Sequence, residues 1–190
     1  MPILQSFANL YLKLLLFSGV CFGLIMGLYL SFFYGIYMGF AIGILMGIIF
    51  GFLLSLALFL MQVISVKVMP YGLSEETLGV YQVRTLEMKV PYEEAFILCV
   101  ASLGTVKGAR IRSEDRIGGR IDAKTGINWK TLGDDISIDV LSTEVGQRIR
   151  VVSRPTLMTT IVDYGQNLEN VEKITGYLKA HGATVPMMMK

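Results

Sequence analysis

Small residues recur at every fourth position from Gly19 to Ser55: Gly19, Gly23, Gly27, Ser31, Gly35, Gly39, Gly43, Gly47, Gly51 and Ser55. Most residues between them are Leu, Ile, Met, Phe or Tyr. In a water-soluble helix each glycine costs about 1 kcal/mol relative to alanine, so the eight in this series would melt it. In a bilayer the backbone must hydrogen-bond to itself, so the helix survives, and glycines let a second helix approach closely. The pattern therefore points to tightly packed membrane helices. It names no reaction.

Charge divides the chain in two. Residues 1–66 hold one charged side chain, Lys13, whereas residues 67–190 hold 16 of the 17 Lys and Arg and all 15 Asp and Glu. The expected organisation is a transmembrane hairpin (1–66), a linker (67–79), an α+β domain (80–183) and a tail (184–190). The second region has the charge density of an ordinary soluble domain and enough residues for one core. Cys21 and Cys99 fall one in each region, which argues against a disulfide, and with His181 as the only histidine they make no zinc set. No metal and no cofactor is expected. The apolar stretch is too long for a cleavable signal and has no small-residue cleavage site after its first part.

From Ala8 to Val66 the sequence is almost continuously apolar. A single helix of that length would be about 88 Å long, against a hydrocarbon core of about 30 Å. The chain must turn back, and Phe33–Tyr37 is the expected turn, set among Tyr29, Phe32, Phe33, Tyr34, Tyr37 and Phe40 as an interfacial aromatic belt. The spans expected are Leu10–Phe32 and Met38–Ser65. Lys13 lies at the start of the first span, Lys67 just after the second, and the turn is uncharged, so the positive-inside rule predicts that both termini and the domain are cytoplasmic. Gly19, Gly23, Gly27, Gly39, Gly43, Gly47 and Gly51 are the helix-packing candidates. Two packings use them: the hairpin folding on itself, or homo-oligomerisation. No ionisable residue lies between Leu14 and Val66, which counts against a proton-driven ring or secondary transporter and leaves a hydrophobically gated pore open.

In the second region Val80–Val90 alternates as a strand, and Pro91 opens a helix that carries Glu93 and Glu94 near its start, Phe96, Cys99, Val100 and Leu103 along its stripe, and Gly104 at its end. Strands are expected at Ala109–Glu114 and Ile117–Thr125, with a further one starting at Asn128. Ile136–Ser142 and Arg148–Ser153 should form a hairpin around Gly146. A last helix spans Leu168–Ala180, capped by Asn167, stopped by Gly182, and buried through Val171, Ile174 and Leu178. The fold class expected is a membrane α-helical hairpin plus a two-layer α+β domain, with an antiparallel sheet of about five strands and two helices on one face.

Alternation places Arg110, Arg112, Arg120, Lys124, Arg148, Arg150 and Arg154 on the solvent face of the sheet, with Asp122, Asp135, Ser137 and Asp139. Cross-strand ion pairing is one reading of that face. Attraction of Arg110, Arg112, Arg120, Arg148 and Arg150 to an anionic leaflet is the other. Nucleic acid is not expected as a partner, because net charge is only +2 and no aromatic alternates with the basic residues.

The segment Ser153-Arg154-Pro155 followed by Asp163-Tyr164-Gly165-Gln166-Asn167 resembles an uncharacterised bacterial domain family, in which an Arg/Ser-rich strand end precedes a D-x-G-x-N segment and a terminal helix. The likeness covers roughly residues 122–178, is looser over Thr156–Val162, and implies a βα…βα domain with no activity attached; the location expected for the chain is a bacterial inner or plasma membrane. Physically, Asp163 can make an Asx turn, Gly165 can take positive φ, Asn167 can cap the helix, and Arg154 can pair with Asp163. This corner is either a structural cap or a ligand site. No nucleophile elbow, phosphate loop or dinucleotide motif is present, and Trp129 reads as a core or rim aromatic. The function expected is a non-enzymatic, self-associating membrane anchor or scaffold whose cytoplasmic domain binds an unidentified protein partner. The alternatives are a membrane-proximal lipid or small-ligand binder, or a small channel.

Overall fold

The computed structural model describes residues 2–68, 79–128 and 130–185. Trp129, most of the expected linker and the last five residues of the expected tail lie outside them. The chain divides into two compact units, Met1–Leu78 and Gly79–Lys190.

The first unit is two helices, α1 (Pro2–Tyr34) and α2 (Ile36–Val68). Each is longer than the expected span, because the reversal takes one residue instead of five. Gly35 has φ +79°, a left-handed conformation that glycine adopts freely, and its N–H still bonds to the Ser31 carbonyl while its own carbonyl accepts from Gly39. Its neighbours on both sides therefore stay helical. At about 50 Å each, the helices exceed the hydrocarbon thickness.

The four-residue series is symmetric about Gly35, and the helices meet in that register: Gly39 lies against Ser31, Gly43 against Gly27, Gly47 against Gly23 and Gly51 against Gly19. Gly23, Gly27, Gly39, Gly43, Gly47 and Gly51 are all buried. A Cβ added at Gly47 would come within 2.6 Å of the Gly19 carbonyl oxygen, and one at Gly51 within 2.7 Å of the Gly19 Cα. The helices touch backbone to backbone. The larger apolar side chains point mostly the other way, with Phe32 89% and Ile48 62% exposed. Aromatics fill the widening space toward the open end, where Tyr11 and Phe7 meet the Phe59 ring edge-on at 5.9 and 5.6 Å.

The second unit is the two-layer α+β domain. Its elements are β1 (Gln82–Met88), α3 (Tyr92–Ser102) running into a 3-10 turn (Leu103–Thr105), β2 (Arg110–Asp115), β3 (Arg120–Lys124), β4 (Asp134–Thr143), β5 (Gly146–Pro155) and α4 (Gln166–Ala180). The five strands form one antiparallel sheet in the order β1-β5-β4-β3-β2. Leu86, Met88, Ile121, Ile136, Ile138, Val140, Ile149 and Val151 alternate onto one face, against Phe96, Cys99 and Leu103 of α3 and its turn and Val171, Ile174 and Leu178 of α4. Burial pushes the Cys99 thiol up to about 12, so it is unreactive at neutral pH.

Three expectations need correction. No strand begins at Asn128: its side-chain oxygen accepts the N–H groups of Lys130 and Thr131, closing a turn, and β4 starts at Asp134. Gly104 does not end the first helix but sits inside its 3-10 extension. Thr184, placed in the tail, bridges to Glu87 at the sheet edge.

Candidate functional site

Alternation puts Asp134 on the face that carries Ile136 and Ile138, and Ser153 on the face that carries Ile149 and Val151. On α4, Asn167 and Asn170 lie on the stripe that buries Val171 and Ile174. Four polar side chains are thereby driven into the core at one end of the sheet. Asp134, Ser153, Asp163 and Asn167 are fully buried and Asn170 is 1% exposed.

They satisfy one another. The Ser153 hydroxyl donates to Asn167 Oδ1 at 2.6 Å, and Asn167 Nδ2 donates to Asp163 Oδ2 at 2.9 Å and to Asp134 Oδ1 at 3.4 Å. Asn170 Nδ2 donates to Asp134 Oδ2 at 3.1 Å and to Ser153 Oγ at 3.2 Å. Thr125 Oγ1 donates to Asp134 Oδ2 and accepts the Asp134 N–H at 2.8 Å. The Asp163 carboxylate accepts the backbone N–H groups of Gly165 (3.1 Å) and Asn167 (3.0 Å). Burial raises the Asp134 carboxyl above its ordinary range, against the hydrogen bonds from Asn170, Thr131 and Thr125, and the Asp163 charge adds to the rise.

This geometry revises two roles. The residue at the cap of α4 is Gly165, at φ +73°, and the side chain that satisfies the first turn is Asp163. Asn167 stands inside the helix and links three partners. Arg154 does not pair with Asp163: it is exposed on the opposite face of the sheet, in register with Asp135. Among the described residues no cation pairs with either buried carboxylate. For Asp163 the N-terminus of α4 supplies the compensation, through the N–H groups of Gly165 and Asn167 and the positive dipole end. No trio of His, Cys, Asp or Glu is placed to hold a metal, among the described residues.

The solvent face of the sheet carries the predicted basic residues, and most of their charge is spent there. Arg120 pairs with Asp122 (3.1 Å) and Asp139 (3.7 Å), Arg150 with Asp139 (3.9 Å), Arg148 with Glu87 (3.3 Å) and Lys124 with Asp135 (3.9 Å). The Asp122 carboxylate, through its hydrogen bond and its charge, holds the Arg120 guanidinium above its ordinary value. Arg110, Arg112 and Arg154 have no ion pair among the described residues. Arg112 falls at a bulge, because the β2–β3 register slips between Ile111 and Ser113. Ser137, a short side chain in the middle of the face, leaves a hollow of about 170 Å³ rimmed by Arg112, Arg120, Lys124 and Arg154, with Asp122 and Asp135 between them.

The hairpin has its own concavity, an apolar furrow of about 340 Å³ along the helix seam, lined by Leu16, Gly19, Gly23, Phe40, Ile44 and Gly47 among others. Sequence reasoning found the basic face and the D-x-G-x-N corner but missed Asp134 and Asn170. The available signal was polarity on an apolar face: Asp134 two residues before Ile136, and Asn170 four before Ile174. Compared with known protein families, with curated proteins and with solved structures, the chain matches none.

Proposed function

We propose that this is a non-enzymatic integral membrane protein, in which the glycine hairpin anchors the chain and the α+β domain serves as a binding module on the cytoplasmic side. The observation that carries the reading is the outward turn of the hairpin's apolar surface. Phe7–Tyr34 and Ile36–Lys67 are long and apolar enough to cross a membrane, yet only 11% and 17% of their most apolar windows are buried. The core helix of a soluble protein would be mostly buried, and so much exposed Leu, Ile and Phe calls for lipid around it. Lys13 in the first half of α1 and Lys67 in the last turn of α2, against an uncharged turn, support the orientation.

The polar corner supports a structural role for Asp163, Gly165 and Asn167, since the donors and acceptors there are spent on each other and closed from solvent. Self-association belongs to the reading through the open furrow along the seam, while the glycine face itself is occupied within the chain. The reading is tested by washing membranes at alkaline pH and by sizing the detergent-solubilised particle. The chain should stay with the membrane, removal of residues 2–68 should release the remainder, and the protein mass should exceed one chain. Extraction of the intact chain by alkali would refute the anchor; a single-chain mass would remove self-association.

The hollow on the sheet face favours a second reading, a membrane-proximal binder of an anionic ligand.

A further inference from the structure

The two ends of the sheet differ. At one end lie the start of β1, the turn before β2, the loop 125–133 that leaves β3, and the loop 156–165 that leaves β5. At the other lie the β2–β3 and β4–β5 turns. Both ends expose apolar side chains: Ile127 (76%), Leu132 (58%), Leu157 (46%) and Met158 (95%) at the first, Ile117 and Val145 at the second. Their charge separates them. Lys107, Arg110, Lys124, Lys130 and Arg154 ring the first end against Asp135 and Glu169, and its other two acidic residues, Asp134 and Asp163, are buried. At the second, Glu87, Glu93, Glu114, Asp115 and Glu144 face Lys89, Arg116, Arg120 and Arg148, a small acidic excess.

We propose that the first end docks onto an anionic bilayer surface, with the lipid phosphate seated in the hollow among Arg112, Lys124 and Arg154 and the Ile127, Leu132, Leu157 and Met158 side chains entering the interfacial layer. Three observations converge on lipid as the occupant. Apolar side chains at loop tips beside basic ones are what a headgroup layer accommodates, apolar atoms below and cations at phosphate level. Arg110, Arg112 and Arg154 have no ion pair among the described residues, and guanidinium groups match the geometry of phosphate. Strand β1 enters the sheet at this end, so the chain reaches the domain here after the apolar hairpin. Ser137, which also lines the hollow, adds a hydroxyl. The inference rests on the anchor reading.

The test uses the full chain with Cys21→Ala, leaving the unreactive Cys99 in place. Met158→Cys, or Ile117→Cys as the opposite-end control, carries an environment-sensitive dye. Each protein is reconstituted into bilayers of phosphatidylcholine alone or mixed with phosphatidylglycerol, with quencher-bearing lipids. The dye at position 158 should be shielded from water and quenched in the anionic bilayer only, and the dye at 117 should remain in water in both. Each cation near an anionic surface contributes about fivefold, so Arg112→Ala with Arg154→Ala should lower the docked fraction's equilibrium about 25-fold. Arg148→Ala, an ion-paired residue near the other end, should leave it unchanged, and raised salt should weaken it. A dye at 158 that stays in water, or is shielded equally in neutral bilayers, overturns the proposal. Displacement by inorganic phosphate at constant ionic strength also overturns it and assigns the hollow to a free anion. The particle remains integral in every case, so failure of docking is distinct from failure of the anchor.

Discussion

The hairpin and the α+β domain use the same apolar residue types in opposite directions. In the domain, Ile, Leu, Val and Phe point inward and interlock, with Phe96, Ile138 and Leu178 fully buried. In the hairpin they point outward, and what meets inside is glycine backbone. Water drives apolar side chains together, so the domain gains by burying them. Lipid gives no such gain, so helix association rests on close backbone contact. The lesson is that the same apolar residue types pack in opposite directions in the two units.

Opposite substitutions should therefore damage the two regions. The largest effect is expected in the hairpin, from enlarging side chains. Gly43→Leu with Gly47→Leu would drive atoms into the Gly19, Gly23 and Gly27 backbone and cost about 5 kcal/mol across the two sites. Loss of heat resistance of the detergent-solubilised particle would report it, and an unchanged midpoint would deny the backbone contact. In the domain the damage comes from shrinking side chains: Phe96→Ala should cost about 4 kcal/mol through transfer and cavity terms, read as a lowered midpoint of the domain's unfolding. If Phe96→Ala were harmless while Gly43→Ala in the hairpin were severe, the contrast would hold only on one side.

A smaller loss is expected where the domain departs from its own rule and buries polar groups. Asn167→Ala leaves Asp163, Asp134 and Ser153 each short of a partner and should cost about 2 kcal/mol, with Asn167→Asp no better because it adds a third buried carboxylate. The smallest effect is a pH dependence. The fold raises the Asp134 carboxyl, chiefly by burial, so its contribution is present in full below the ordinary carboxylate range, near about pH 4, and is lost as pH rises through the raised value. Glu169 acts in the opposite sense: burial raises it, but Lys173 and Lys130 together outweigh burial and hold it low, so its contribution fades as pH falls. Comparing the unfolding midpoint with that of Asp134→Asn isolates the first term. The difference between the two proteins should change across that window in favour of wild type at the acid side; a constant difference would mean that Asp134 does not titrate abnormally.

How much of this was legible in the sequence follows from how local each cause is. The period-four series gave the hairpin, and the symmetry of the series about Gly35 contained its register too, because antiparallel helices with a one-residue turn bring matched positions together. Strand alternation gave the sheet and its basic face. The bulge that turns Arg112 toward the hollow was hidden, since a register slip depends on the partner strand and leaves no mark on Arg110–Asp115 alone. The cap of α4 was misplaced by two residues because Asn167 and Asp163 are both good capping types, and only the burial of Asn167 decides between them. The pairing of Arg154 with Asp163 failed for a simple reason: strand alternation had already put Arg154 on the far face from the helix.

The function proposed above requires the hairpin to cross the bilayer, with the Gly35 turn and the domain on opposite sides. It is tested most directly by placing a single reactive thiol at Ile36, exposed beside the turn, or at Ile117, fully exposed in the domain, each in the Cys21→Ala background. An impermeant thiol reagent applied to intact cells should modify the chain with Ile36→Cys and spare the one with Ile117→Cys, which should react only after the membrane is opened. Reaction at Ile117→Cys in intact cells, with Ile36→Cys protected, would contradict the account.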